Sequence, residues 1–497
     1  AYYLAVSQFS GGKLTVTAQE AVNIAVDGVV SITGSREISY SDPIRAMGDG
    51  DVILTIRSNP AIPTLVWYGD GTNPGGGGNW TVDGLTWWNG TAHQAWDSNS
   101  RAVFPAGAGE IQVGDGVVAN QGLAFSGDYT IAGQTFSMAG ESPRAAIFDV
   151  AAGASVEFAA PIVSAKGLAF TGMGVASLAG LIETNEPIIV EKGVLALTSN
   201  RMEISGFPVV EIQRDATLLL SSELETLLLT EIRGSGTLAQ QGPGRVILTT
   251  PSPDFTGRVL IQGGQVSLET PSGLGVTPPI ALSASGKLVL PSSFRLLTQA
   301  ESLSVSLVGP GGLIDLGVGQ ITILPNGFSV ADLRENIISG RSNGSWAGPA
   351  GITSSLAAGS GGTRAVGYLI RPDSSAVISY AAAGDVNLDG QVDVFDLVSI
   401  NGTGVYGTAR ASDWSLGDFN YDGVTNVFDI VSINSAGTFA RGSYFPTLAT
   451  ISPSISIVPE PIFFSLLKPG RLALGSLLWL LLGFRHFSVN TARRRAI

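Results

Sequence analysis

The 497 residues carry 40 Asp plus Glu against 27 Lys plus Arg, a net charge of -13, so no basic face is at hand to displace counterions from phosphates and nucleic-acid binding is excluded. With no Cys and 2 His, disulfide and thiolate chemistry are ruled out and His-dependent catalysis has almost no material. A chain of 44% apolar and 13% charged residues with 65 Gly is too apolar for disorder and too rich in Gly for a helical protein, and it is longer than one core usually organises. Short strands joined by tight turns, in several domains, are expected.

The chain opens at Ala1 with no basic-then-apolar leader ahead of the first strand-like segment, so the export signal is read as processed away or lying upstream. Residues 1–63 form a strand-rich segment, in which Leu14 and Val16, Ile24 and Val26, and Val30 and Ile32 show the period-2 alternation of half-buried strands. Five of the 8 tryptophans, Trp67, Trp80, Trp87, Trp88 and Trp96, then gather around the glycine run Gly75 to Gly78. Flat indoles among turn residues fit either a sugar-stacking platform or a small aromatic core that starts a β-domain, and buried Trp is the commoner use.

A repeat follows. Gly122-Leu-Ala-Phe125 recurs as Gly167-Leu-Ala-Phe170, 167 minus 122 or 45 residues on, and a Gly-x-apolar-x-Leu pattern recurs at Gly193, Gly244, Gly264 and Gly286. The last three start 20 and 22 residues apart, which is about one rung of a parallel β-helix, and two rungs account for the 45.

Gly234-Ser-Gly-Thr-Leu238, Gly242-Pro-Gly-Arg-Val-Ile-Leu248, Phe255-Thr-Gly257, Gly263-Gly-Gln-Val-Ser-Leu268 and Gly273-Leu-Gly275 stand in an order that resembles the autotransporter-associated β-strand repeat. The Trp67-Tyr-Gly-Asp-Gly71, Asn79-Trp80 and Trp87-Trp-Asn89 block, with Ala102-Val-Phe104 after it, is similar to the segment that opens such repeats. The resemblance implies that residues 64–330 form a right-handed parallel β-helix, a stalk or scaffold on a bacterial surface. No β-barrel translocator follows, so self-transport through an outer membrane is not implied.

Residues 331–381 read as a connecting segment, with a short helix at Leu333 to Ser339, loops at Gly340 to Trp346 and Ala357 to Thr363, and a strand at Ala376 to Tyr380. No chemistry is assigned to it.

The strongest chemical signal lies in residues 382–437. Asp385, Asn387, Asp389, Gly390, Asp393 and Asp396 hold positions 1, 3, 5, 6, 9 and 12 of a twelve-residue loop, and Asp418, Asn420, Asp422, Gly423, Asn426 and Asp429 repeat them, 418 minus 385 or 33 residues later. Ca²⁺ needs six to eight oxygens, which alternate residues of a tight loop supply when a Gly at position 6 permits the bend; the carbonyls of Gln391 and Val424, at position 7, add one each. Val394, Leu397 and Val398, and likewise Val427, Ile430 and Val431, fall on one helical face after each loop, and Asn401-Gly402 is a stop signal. Two Ca²⁺ sites are therefore expected. Without metal, the four Asp of the first loop and three of the second repel one another.

This duplicated loop and helix, with Asp rather than Glu at position 12, resembles type I dockerin. Family dockerins bind cohesins, often through a hydroxyl pair at positions 10 and 11; here those positions are Val394-Phe395 and Val427-Phe428, which argues against a cohesin-like partner of the cellulosomal kind. The apolar pair either packs internally or meets a different partner.

Residues 438–457 read as a linker, Ser/Thr/Pro-rich from Pro446. Residues 458–497 then give Val458-Pro459-Glu460-Pro461, an apolar run from Leu472 to Phe484, and Arg493, Arg494 and Arg495, an order that resembles the PEP-CTERM sorting signal. It implies a C-terminal transmembrane helix and recognition by an exosortase-type membrane enzyme, with the arginines cytoplasmic. The clean run is about 20 Å of helix against roughly 30 Å of hydrocarbon, so insertion is marginal.

The expected molecule is mainly β, a parallel β-helix with a small α-helical calcium module and a sorting tail. It is read as a non-catalytic, exported surface scaffold or adhesin, whose partners include exopolysaccharide or another surface protein. The rival reading is a polysaccharide-degrading enzyme on the same scaffold, which needs two facing carboxylates in a groove. Glu223, Glu225 and Glu231 read as surface charges instead.

Overall fold

The computed structural model describes residues 62–445 apart from 139–144, 199–203, 206–208, 222, 229, 271–272, 275–278, 284, 291–302, 309–310, 324 and 326–328, together with the backbone of five earlier strands. The chain divides into two units, Ala1–Ile451 and Ser452–Ile497, and all described residues belong to the first. The sorting residues Val458 to Pro461 and Arg493 to Arg495, and the expected transmembrane helix, lie outside the described residues; among those described, no helix is long and apolar enough to cross a membrane. Before residue 62, Tyr2–Val6 pairs antiparallel with Val52–Ile56, and Lys13–Val16, Val22–Ala25 and Val30–Ser31 form an antiparallel three-stranded sheet.

From residue 64 the chain coils as a parallel β-solenoid. Leu123–Phe125, Asp128–Gly133 and Phe136–Met138 make one turn, and Ala146–Val150, Ser155–Phe158 and Ile162–Ser164 make the next; each strand pairs in parallel with its counterpart. Stacking of such turns yields a 10-stranded sheet, a 14-stranded sheet, and a third face built from a 4-stranded sheet early in the coil and a 6-stranded sheet later. Ile, Val, Leu and Phe at alternate positions face inward, as at Ser155–Phe158, where Val156 and Phe158 are buried and Ser155 and Glu157 exposed. Directly opposed partners stack: the Phe104 and Phe125 rings lie 4.5 Å apart at 6°, and Phe148 and Phe170 lie 4.8 Å apart at 14°.

The glycine spacings mark this coil. Leu123–Phe125 and Leu168–Phe170 lie in one sheet with Ala146–Val150 between them, so the 45-residue interval spans two turns. Gly244, Gly264 and Gly286 lead Arg245–Leu248, Gln265–Leu268 and Lys287–Val289, successive strands of the 6-stranded sheet, whereas Gly193 opens a strand of the 14-stranded sheet. The tryptophan block is an aromatic core: Trp67, Trp80 and Trp87 are fully buried and Trp96 nearly so, with Trp87 4.6 Å from Trp96 and 5.6 Å from Phe104. Rings enclosed in this way cannot serve as a sugar-stacking platform. Trp88 alone of the five is half-buried, against Tyr68 and His93.

Residues 331–381 close the coil. Helix α1, Val330–Arg341, is capped by Ser329, whose side chain accepts from the Asp332 amide at 3.0 Å. Its buried face, Leu333, Ile337 and Gly340, packs on Gly351–Thr353, the last strand of the 6-stranded sheet. After the short helix α2, Ser355–Gly359, an antiparallel hairpin of Ala365–Ile370 and Ala376–Ala381 ends the 14-stranded sheet, the second strand pairing antiparallel with Gln320–Ile323. Solenoids need such an end cover, because an uncovered rung exposes both apolar face and unpaired backbone.

Candidate metal centre

Each twelve-residue loop leads straight into a helix, α3 at Val394–Gly402 and α4 at Val427–Ala436. Positions 9 and 12 are at once loop residues and a helix N-terminus: Asp393 caps α3 and accepts from Phe395 N, while the Asp396 carboxylate accepts from Asp393 N at 2.9 Å. Asn426 and Asp429 repeat this reciprocal pair on α4, with Asp429 accepting from Asn426 N at 2.8 Å. A carboxylate in the first helical turn also meets the positive end of the helix dipole. At position 6, Gly390 and Gly423 have φ +90° and +93°, which side-chain-bearing residues rarely adopt. Leu388 and Tyr421, at position 4, are left-handed too, at φ 60° and 64°.

The two loops share their internal hydrogen bonds, the second adding one from Asn420 N to Asp429 Oδ1 at 3.3 Å. Asp385 Oδ1 and Oδ2 accept from Asp389 N at 3.2 Å and Gly390 N at 2.8 Å; Asp418 accepts from Asp422 N at 3.0 Å and Gly423 N at 2.8 Å. Asn387 and Asn420 accept from the amides of Asp389 and Asp422, which accept in turn from those of Gln391 and Val424. Asp396 Oδ1 accepts from Val386 N at 3.2 Å, and Asp429 Oδ1 from Phe419 N at 2.8 Å. Among the described residues no donor reaches the carbonyls of Gln391 or Val424.

Asp385, Asp396, Asp418 and Asp429 are at most 1% exposed. Burial pushes the Asp385 and Asp418 carboxyls up to about 6, and raises Asp396 and Asp429 above the usual carboxylate range. Buried carboxylates are costly unless a cation or hydrogen-bond donors compensate them, and the amides do so only in part. Among the described residues no three His, Cys, Asp or Glu side chains converge closely enough to hold a metal by themselves. The donor set is instead mixed: two buried carboxylates at positions 1 and 12, an amide oxygen at 3, a carboxylate at 5 and a free carbonyl at 7. These are oxygens throughout, the chemistry that a hard divalent cation takes and a thiophilic metal does not.

Asp396 and Ile400, one helical turn apart, share the inward face of α3, as Asp429 and Ile433 share that of α4. Pointing the position-12 carboxylate into its loop sets the rotation of the helix. The expected packing face of Val394, Leu397 and Val398 is therefore not the one used: Val394 and Val398 are exposed, as are Val427 and Val431, while Leu397 and Ile430 are half-buried. Phe395 and Phe428 are 72% and 65% exposed, so the apolar pairs at positions 10 and 11 face solvent rather than packing inside the module.

Two side chains that the loop pattern did not mark complete the centre. Residues 438–445, read from sequence as the start of a linker, run back over the first loop: Ala440 N donates to Val392 O at 2.8 Å, and the Tyr444 hydroxyl donates to Asp385 Oδ2 at 2.6 Å. From α1, Arg334 Nη2 donates to Tyr421 O at 2.7 Å and lies 3.6 Å from Asp418 Oδ2. The module is fused to the solenoid's end. Trp414 is fully buried, donates to Asp385 O at 2.7 Å, and lies over Gly367 of the closing hairpin, where a Cβ would fall 2.5 Å from its Cε2. The Tyr421 hydroxyl donates to Val366 O on the same strand.

Fold and centre together define a parallel β-solenoid whose closing cap carries a duplicated Asp/Asn loop and helix. Compared with family models, curated proteins and solved structures, the chain matches none of them.

Proposed function

We propose that this chain is a non-catalytic structural or adhesive protein of a bacterial cell surface, a solenoid scaffold of the right-handed, autotransporter-repeat type whose end is stapled by Ca²⁺ in two dockerin-like loops. The observation that carries the reading is the duplication of the loops down to single hydrogen bonds, each holding two buried carboxylates among oxygen donors. Extracellular calcium is plentiful, so weak sites suffice as staples. The tail, with Val458 to Pro461, Leu472 to Phe484 and Arg493 to Arg495, is assigned as a sorting signal for an exosortase-type enzyme, on the sequence order alone. Exopolysaccharide or another surface protein is the partner class. On the solenoid, Glu225 pairs with Arg245 at 3.0 Å and Glu231 with Arg233 at 2.8 Å, arrangements that support surface charges rather than a facing acid and base.

The test is calorimetric titration of chelator-stripped full chain with CaCl₂, read alongside the melting temperature. Two binding events and a rise in melting temperature are expected; no binding at roughly millimolar calcium overturns the metal reading. Fractionation of native cells with mass spectrometry of the mature C-terminus tests the rest. Intact chain bearing Arg493 to Arg495 in the cytosol would overturn the surface assignment.

A further inference from the structure

The loops share their own donors but differ in what reaches them from outside. In the first, the position-1 carboxylate of Asp385 receives a neutral hydroxyl, Tyr444, at 2.6 Å. In the second, the matching carboxylate of Asp418 faces a guanidinium, with Arg334 Nη2 3.6 Å from Oδ2. That guanidinium is fixed at the loop: it donates to Tyr421 O at 2.7 Å and lies over the turn at Gly423, where a Cβ would fall 3.6 Å from Nη2. Its backbone belongs to α1, anchored in the solenoid cap by the buried Leu333 and Ile337. The second loop also has one carboxylate fewer, because Asn426 stands where the first has Asp393.

We propose that Arg334 is a built-in counter-cation for the second loop, making it the weaker Ca²⁺ site and holding its shape when metal is absent, so that the first loop is the one that calcium orders. The inference rests on the calcium reading of the loops given above. The physics is competition. A divalent ion entering the second loop meets carboxylates already offset by a fixed positive charge beside a ligand that is 1% exposed, where screening is weak. The first loop carries one carboxylate more and, among the described residues, no basic side chain in ion-pair contact. Affinity in loops of this kind follows ligand charge and rigidity, so the first site is the tighter. Metal-free, the relation inverts: like charges spread the first loop, whereas Arg334 offsets the second.

The test is CaCl₂ calorimetry on the stripped full chain with variants. Wild type shows a tight and a weak class; Asp385→Asn removes the tight one and Asp418→Asn the weak one, a ranking read without altering Arg334. Arg334→Gln, which keeps an amide donor for Tyr421 O and drops the charge, tightens the weak class by roughly tenfold or more and leaves the tight class unchanged. Arg334→Lys, which keeps the charge, leaves the weak class weak. In chelator, amide exchange at residues 421–426 is slow in wild type and fast in Arg334→Gln. Equal classes insensitive to Arg334→Gln, or loss of the tight class in Asp418→Asn, overturn this inference and leave the calcium reading standing; absence of calcium binding in every protein overturns both.

Discussion

Replacing Trp414 with Ala tests whether the loops and the solenoid form one folded body. Its indole is fully buried, meets Phe419 edge-on at 5.0 Å, covers Gly367 of the closing hairpin and donates to the Asp385 carbonyl at 2.7 Å. Deleting a buried Trp side chain costs about 3 to 5 kcal/mol, the spread set by how far the site collapses. Here collapse is restricted, because the opposing surface is strand backbone at Gly367 rather than a mobile side chain. Trp414→Phe keeps most of the ring and loses the N–H, leaving the Asp385 carbonyl without its donor, at about 1 to 2 kcal/mol. The assay is urea unfolding with amide exchange read at residues 365–381 and calcium titration of the first loop. Both variants should speed exchange in the hairpin and weaken calcium binding by the first loop, the Ala variant more. A loss under about 1 kcal/mol for Trp414→Ala, with hairpin exchange unchanged, would refute the claim that this indole ties loop, module and cap together.

Proton linkage supplies a second expectation for the metal-free chain. The Asp385 and Asp418 carboxyls, pushed up to about 6, bind protons more readily folded than unfolded, so their contribution to stability is full below pH 3.8 and is lost as pH rises through about 6. In chelator the Asp385→Asn, Asp418→Asn double variant should lack that component of the melting curve between those pH values, and an unchanged pH profile would count against it. In calcium the dependence reverses for wild type, since protons and metal compete for the same oxygens. In the coil, Phe125→Ala, which removes the ring stacked on Phe104, should cost about 3 to 5 kcal/mol and Phe125→Leu, which keeps most of the apolar volume, far less; equal losses in urea unfolding would show that the ring itself, and not the volume it fills, carries the stability.

What was legible in the sequence was whatever repeats. Intervals of 45, 20 and 22 residues between glycine motifs mark the rungs because each turn poses the same steric problem at the same place. The twelve-residue loops were legible for the same reason, down to the Gly that makes the bend. The closing segment was not, since ending a coil means abandoning its period: α1 and the hairpin appeared as a short helix and strand with no assigned role. Arg334 and Tyr444 escaped because nothing local marks them; they meet the loops across 87 and 59 residues of sequence. The rotation of α3 does not follow from its apolar residues alone. Asp396, a carboxylate, claims the inward face, and Val394 is turned out to solvent.

The return of residues 438–445 over the first loop sets how the coil would yield to tension. In a coil whose turns touch only their neighbours, unravelling under tension proceeds from an end, rung by rung. A pull on the chain beyond residue 445 is met first by the Tyr444 hydroxyl on Asp385 and by the Ala440 amide on Val392, ahead of any rung. Whatever grips the first loop therefore also determines the force at which the coil begins to peel.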